Sequence, residues 1–293
     1  MKVGKITSNN KKNITNFINQ IYTDYITVYK NYIKNVINKN KENRVNQILD
    51  FVNTWQRNIM NIANDYNNIR NIITYTNDIS IHKNGKYTVV IEVFDVINCI
   101  MNCQEFGSFF SIYEGETIVS AGLLRYSYIQ QLIISMNNST FLYNYNGKNF
   151  IQVTKISSPN VGDTYFITDG KNISYTNYGI YQFVDKLKST HTLSYSKSIV
   201  HNFYYILMNG GVFLSTTEES GSTDIKFFFH AIPIAFISKN CGLSCYSDKV
   251  QTLDLDYPEG KKVIKSTIRL IYGSNIEMSK YSDIINPCLV SFD

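Results

Sequence analysis

The sequence predicts an α+β, helix-rich fold: two long N-terminal amphipathic helices followed by a mixed α/β body. Three observations carry this. Residues 11–76 contain neither Gly nor Pro, and their apolar residues recur at helical spacing. From residue 84 onward, β-branched and aromatic runs alternate with Gly- and Asn-containing turns. Two later segments recover a helical pattern, one of them ending at Asn209-Gly210-Gly211.

In the first helix Ile14, Phe17, Ile21, Tyr25, Val28, Tyr32 and Val36 step by three or four residues. In the second, Val45, Ile48, Val52, Trp55, Ile59, Ile62, Tyr66, Ile69 and Ile73 alternate three and four throughout. Each set falls on one helical face, and the opposite faces are Asn, Lys, Gln and Asp. Residues 38–43 carry no apolar side chain between Asn38 and Asn43 and read as the turn between the helices. The second set approaches a heptad seam, a candidate surface for packing either on the chain's own body or on another copy. We therefore divide the chain into a helical arm or hairpin, 1–80, and a compact mixed body, 81–293.

In the body, Tyr87–Phe94 reads as a strand after the turn His82-Lys83-Asn84-Gly85-Lys86. The run 123–136 reads as a buried helix. Phe141–Tyr143 and Phe150–Val153 flank a hairpin turn at Asn146-Gly147, and Thr164–Thr168 is a short strand. Tyr178–Leu187 and Ser198–Met208 read as helices, Asp224–Ile237 as a buried segment, and Val263–Tyr272 as a strand.

Charge is uneven. Residues 1–84 hold twelve Lys and Arg against five Asp and Glu; the rest hold sixteen against eighteen. A basic arm facing a mildly acidic body suits docking between copies, or nucleic acid. The basic residues are too scattered for a strong polyanion site, so nucleic acid is not the expected partner. No apolar run reaches membrane-spanning length and the N-terminus is polar; we expect no membrane partner and a cytosolic or nuclear site of synthesis.

Chemistry-bearing motifs are sparse. Phosphate-loop, dinucleotide-binding, zinc-protease, nucleophile-elbow and kinase signatures are absent. The four histidines, His82, His191, His201 and His230, show no metal-ligand spacing, and His230 sits in an apolar run as a core histidine would. Carboxylate pairs occur at Glu114/Glu116, Glu218/Glu219 and Asp254/Asp256. On a strand the last pair would share one face, making it the best candidate acid/base or metal pair. Cys99, Cys103, Cys241 and Cys245 form two C-x3-C pairs and Cys288 is left over. Their spacing matches no standard zinc module, so they read as buried thiols or as disulfide or interchain thiols. We expect no catalytic residue, metal or cofactor, and no enzyme activity.

Tyrosine is abundant, 23 residues against one Trp. A Tyr ring buries apolar area and its hydroxyl satisfies a polar partner, which suits interfaces. In size range, Tyr content and helical first quarter the chain resembles the nudivirus polyhedrins, the occlusion-body proteins of insect viruses, with no shared motif. That resemblance implies a viral structural protein whose partner is itself, in a lattice around virions. It implies exchanged helical arms, disulfides tying the crystal, and dissolution in alkali. The location would be the infected nucleus or cytoplasm, then extracellular occlusion bodies. The competing expectations are a viral enzyme or accessory factor with an unrecognised site, a nucleic-acid-binding protein using the basic helices, and a toxin with an amphipathic arm.

Overall fold

The computed structural model describes residues 1–36, 41–95, 99–100, 104–170, 178–217, 225–255 and 266–285. Among the described residues, six α-helices and two mixed sheets make up a mixed α/β architecture. Two compact units divide it. The first comprises Lys2–Asn137 and Phe141–Thr154; the second comprises Lys155–Asp293 with Met1 and Asn138–Thr140.

The first unit opens with β1 (Lys2–Val3), α1 (Ser8–Val36) and α2 (Lys41–Asn64). Its sheet follows: β2 (Ile69–Ile73), β3 (Asp78–Ser80), β4 (Tyr87–Ile91), β5 (Phe106–Glu114), β6 (Thr117–Tyr126), β7 (Gln131–Met136), β8 (Ser139–Tyr145) and β9 (Phe150–Ile156). The strand order is β3-β2-β4-β5-β6-β7-β8-β9, with β1 beside β6. The pairs β2–β4 and β1–β6 are parallel, while β2–β3 and the run from β4 to β7 are antiparallel.

The helical spacing of the sequence becomes burial. Ile14, Phe17, Ile21, Tyr25 and Tyr32 of α1, and Ile48, Trp55, Ile59 and Ile62 of α2, are buried in one core with Val89, Ile91, Phe110 and Leu132 of the sheet. Val28 and Val52 pack at its edge. Tyr25 and Trp55 meet edge-on at 4.8 Å between centroids, with Tyr22 against the same indole at 6.4 Å. Such ring pairs add to the burial of area itself. The helical seam does not run on to Ile73 as its spacing suggests. Helix α2 ends at Asn64, Tyr66 lies past it, and Ile69 and Ile73 belong to β2. Asn67 and Asn68 interrupt the chain there, and the Ile-rich segment beyond them satisfies its backbone in the sheet.

The run 123–136 also departs from expectation. It is the β6–β7 hairpin rather than a helix, with Gly122 opposite Ile134, Leu123 opposite Ile133 and Leu124 opposite Leu132. Residues of β5, β6 and β7 are buried almost without interruption. Strands buried on both faces lose the alternation by which a sequence reveals them. Gly122 is required by close packing: a Cβ there would lie 2.1 Å from the Ile133 carbonyl oxygen and 2.5 Å from the Phe110 ring.

The second unit contains β10 (Thr164–Ile167), α3 (Tyr178–Lys188), β11 (Thr192–Ser194), α4 (Ile199–Asn209), β12 (Val212–Leu214), α5 (Ile232–Cys241), β13 (Leu243–Ser247), β14 (Val250–Gln251), β15 (Ile271–Ser274) and α6 (Asn275–Ile285). A π-helical turn, Phe227–Ala231, leads into α5. The strand order is β11-β10-β12-β15-β13-β14, with β10 parallel to both neighbours and the other pairs antiparallel. Alternation across β12 sorts the layers. Val212 and Leu214 pack with Phe183 and Leu187 of α3 and Met278 and Tyr281 of α6. Phe213 stacks on Tyr272 at 4.7 Å, and Phe203 of α4 meets the same ring. Ser198 caps α4 by accepting from the His201 amide at 3.0 Å, and Gly210 ends the helix with φ near 79°. The strand expected over 263–272 is confined to Ile271–Ser274 among the described residues.

Candidate functional site

Two buried carboxylates stand where β4 leaves the sheet. Glu92 and Asp95 are 3% and 8% exposed, one and four residues beyond Ile91. Backbone bonds hold the segment against β5: the Glu92 amide donates to the Phe109 carbonyl at 2.9 Å and the Asp95 amide to that of Gly107 at 2.8 Å. The Asp95 carboxylate accepts from the Gly107 amide at 3.0 Å, so one of its oxygens is fixed by the neighbouring strand. Ser108 donates its hydroxyl to the Glu92 carbonyl, which leaves Tyr22 as the donor in the 3.0 Å Tyr22–Ser108 contact.

The electrostatics are those of a desolvated core edge. Burial pushes the Tyr22 phenol far above its ordinary range; the Ser108 hydrogen bond offsets part of this and the Glu92 charge adds to it. Burial likewise raises Tyr25, with Tyr29, Tyr22 and Asp95 contributing in the same direction. A polar row continues across this end of the sheet. Arg125 of β6 binds both oxygens of Glu105, the closest at 2.7 Å, and donates to Gln131 of β7 at 2.8 Å; Gln131 donates to Asn144 of β8 at 3.2 Å. On the other side, Gln56 of α2 bonds Thr74, Thr76 and Asn77 in the β2–β3 turn. The end of a sheet beyond parallel strand termini is a common ligand position, and β2 and β4 are parallel and end here.

The second unit holds a different buried acid. Glu277, in the first turn of α6, is 1% exposed and neither of its oxygens has a hydrogen-bond partner. His191 lies nearest, its Nε2 3.8 Å from Oε1. His191 also borders a cavity of about 190 Å³ with Lys186, Thr190, Lys280 and Asp283 over a floor of Phe183 and Leu187.

Hydrolysis at phosphorus or carbonyl centres often uses divalent cations held by several carboxylates. Among the described residues no three His, Cys, Asp or Glu side chains converge to hold a metal ion. Glu92 and Asp95 supply two ligating side chains among the described residues.

The residues singled out from the sequence are dispersed. Asp254 lies in a 3-10 turn, Thr252–Asp254, rather than on a strand, and Asp256 is outside the described residues. Glu114 pairs with Lys86 at 3.0 Å on the surface; Glu218 and Glu219 lie outside the described residues. Cys241 and Cys245 are buried free thiols, pushed by burial to about 11 and about 12. Cys99 is buried in the first core, and Cys103 and Cys288 are outside the described residues. His230 is buried and its Nδ1 accepts from the Lys226 amide at 3.1 Å, as its apolar neighbours suggested. Val45 lies in α2, but its side chain is outside the described set; the seam from Ile48 to Ile62 lies in the chain's own core. The sequence reading passed over Glu92 and Asp95. The available signal was a pair of acids closing an otherwise apolar strand, Val89-Val90-Ile91-Glu92-Val93-Phe94-Asp95.

Comparison with known proteins supplies what the motifs did not. The family model for the fructose-1,6-bisphosphatase C-terminal domain matches residues 159–286. A class 1 fructose-1,6-bisphosphatase of Persephonella marina is 24% identical over 221 residues, 70% of this chain and 68% of that protein. One from Synechococcus elongatus is 26% identical over 181 residues, 60% of this chain and 50% of its own. The cytosolic fructose-1,6-bisphosphatase of Pisum sativum is 24% identical over 196 residues, 58% and 57% of the two chains. The chain thus spans about half to two thirds of the length of these curated relatives. The matches overturn the resemblance to polyhedrins, and with it the viral structural role, the alkali-soluble lattice and the extracellular occlusion body. They also overturn the expectation of no enzyme activity, because the relatives are metabolic enzymes. Size, Tyr content and a helical first quarter are shared by many unrelated chains and carried no family information. The chain is similar to the class 1 fructose-1,6-bisphosphatases, and the larger part of its second unit matches the C-terminal domain of that family.

Proposed function

We propose that this chain is a sugar-phosphate phosphatase that hydrolyses a phosphomonoester of a sugar bisphosphate, fructose 1,6-bisphosphate being the first substrate to test. One observation carries the reading. The 221-residue alignment to the Persephonella marina enzyme is longer than either compact unit, so the likeness runs through both units and not only through the matched C-terminal domain. In this reading the long N-terminal helices are amphipathic covers for the sheet that presents Glu92 and Asp95. Water attacks phosphorus, the bond from phosphorus to the sugar oxygen breaks, and the water's proton passes to a carboxylate and on to the leaving oxygen. Glu92 and Asp95 are the carboxylates we assign to orient that water and take its proton.

The test is release of inorganic phosphate from fructose 1,6-bisphosphate by the purified chain, with magnesium supplied. Steady release is expected, falling by about a hundredfold or more in Glu92→Gln and Asp95→Asn, the size of a lost general base. No release above the buffer rate from correctly folded protein would sink the reading.

A further inference from the structure

Gln56 is the exception on the buried side of α2. It follows Trp55 and is 9% exposed, so a polar amide occupies a place where an apolar side chain would stabilise the helix more simply. Three hydrogen bonds direct its amide at one short turn. Nε2 donates to Thr74 Oγ1 at 3.4 Å and to Thr76 Oγ1 at 3.1 Å, while Oε1 accepts from Asn77 Nδ2 at 3.2 Å. The amide cannot be reversed. Thr74 Oγ1 spends its own proton on the Asn77 carbonyl at 3.3 Å and accepts from the Asn77 amide at 3.1 Å, so it needs a further donor and not an acceptor. The Thr74 amide closes the turn by donating to the Asn77 carbonyl at 2.7 Å.

The position of this turn gives the network a use. Strands β2 and β4 run parallel with Ile73 opposite Val90. Continuing that register sets Thr74 level with Ile91 and Tyr75 level with Glu92. By register, then, the turn follows the strand that lies beside β4 on its way to Glu92. Tyr75 is 46% exposed and is carried between the two threonines that Gln56 grips.

We propose that Gln56 is a positioning residue. From the core of the helical layer it fixes the 74–77 turn beside Glu92, and so sets the hydroxyl-bearing wall of the site where a polyhydroxylated substrate would lie. The kinetic part of this proposal rests on the phosphatase reading above; the structural part does not.

The test uses the full chain and three variants: Gln56→Met, which keeps the shape of the side chain without its polar atoms, Thr74→Val, and the two together. Two quantities are read, amide exchange at Thr74 and Asn77 and the kinetics of phosphate release from fructose 1,6-bisphosphate. In Gln56→Met we expect exchange at both amides at least tenfold faster. We expect kcat about tenfold lower with KM little changed, as for a misplaced wall and not a lost contact. Thr74→Val should give the same kinetic loss and the double variant no further loss, since both remove one node. Unchanged exchange in Gln56→Met overturns the proposal, because Gln56 then only fills space. Faster exchange with kcat unchanged in an active wild type overturns it equally. A wild type that releases no phosphate defeats the phosphatase reading alone, and the exchange result still decides whether Gln56 holds the turn.

Discussion

The two units bury similar chemistry in different ways. In the first, two long helices lay a continuous stripe of Ile, Tyr and Trp on an extended, largely antiparallel sheet, and the polar groups at its end are tied to one another. In the second, short helices sandwich a mixed sheet, and an acid, Glu277, is buried without a hydrogen bond. Long elements with period 3.6 advertise their core in the sequence. Short elements around a sheet buried on both faces do not. The matched domain model covers the unit whose periodicity is weaker, while the longer alignment to the Persephonella marina enzyme extends into the other. Legibility to physical pattern and legibility to ancestry are therefore independent properties of the same chain.

The comparison can be broken first at Trp55. Trp55→Ala removes the indole that Tyr22 and Tyr25 pack on and should cost the first unit about 3–5 kcal/mol. Amide exchange should fall in protection across α1 and α2 while α3, α4 and α6 stay unchanged. Equal losses in both units would mean that they do not unfold separately.

Alkali provides a second test, graded by which groups each unit buries. Buried phenols and thiols whose folded pKa lies above the unfolded value stabilise the fold below that unfolded value, and the contribution is lost as pH rises through the folded one. In the second unit the thiols titrate first: Cys241 and Cys245, near 8.5 when unfolded, are raised to about 11 and about 12. In the first unit the raised groups are phenols, ordinarily near 10, with Tyr22 and Tyr25 far higher and Tyr126 at about 12. Burial is the leading cause in every case. From about pH 8.5 to 10 these two thiols should weaken the second unit; above that the buried phenols weaken both units, Tyr272 and Tyr281 of the second included. The single tryptophan belongs to the first unit, so its fluorescence follows that unit while exchange follows the other. Exchange protection in the second unit that holds unchanged to about pH 10 would contradict this reading.

The smallest effect sharpens the contrast at Glu277. Replacing Glu277 by an apolar side chain of similar shape removes two buried oxygens that lack a hydrogen bond. Glu277→Met should stabilise the second unit by about 1 kcal/mol, measured by urea unfolding, and leave the tryptophan-detected transition in place. A loss of stability would mean that the His191 contact outweighs the burial of those oxygens.

What the sequence reached can be named element by element. It located α1 and α2, the strand at Tyr87, the Asn146-Gly147 hairpin and the helix stopped by Gly210, all of which announce themselves through local spacing or turn chemistry. It missed the β6–β7 hairpin, where two buried faces erase alternation. It carried the second helix's seam too far, because Ile69 and Ile73 keep helical spacing by coincidence. It also favoured Asp254/Asp256 over Glu92/Asp95. Two acids in a row of apolar residues look like a strand end, and only pairing with β5 makes them a buried pair.

By itself the sequence determined that the two long N-terminal segments and the segment stopped by Gly210 are helical and where several turns fall, since each depends on neighbours within a few positions along the chain. Tertiary structure decided that Glu92 and Asp95 lie buried at the end of a sheet, that Gln56 reaches across to a turn eighteen residues away, and that Glu277 is buried beside His191 without a hydrogen bond. Those outcomes depend on strand register and on which faces are removed from water, quantities set by contacts between residues far apart in the chain.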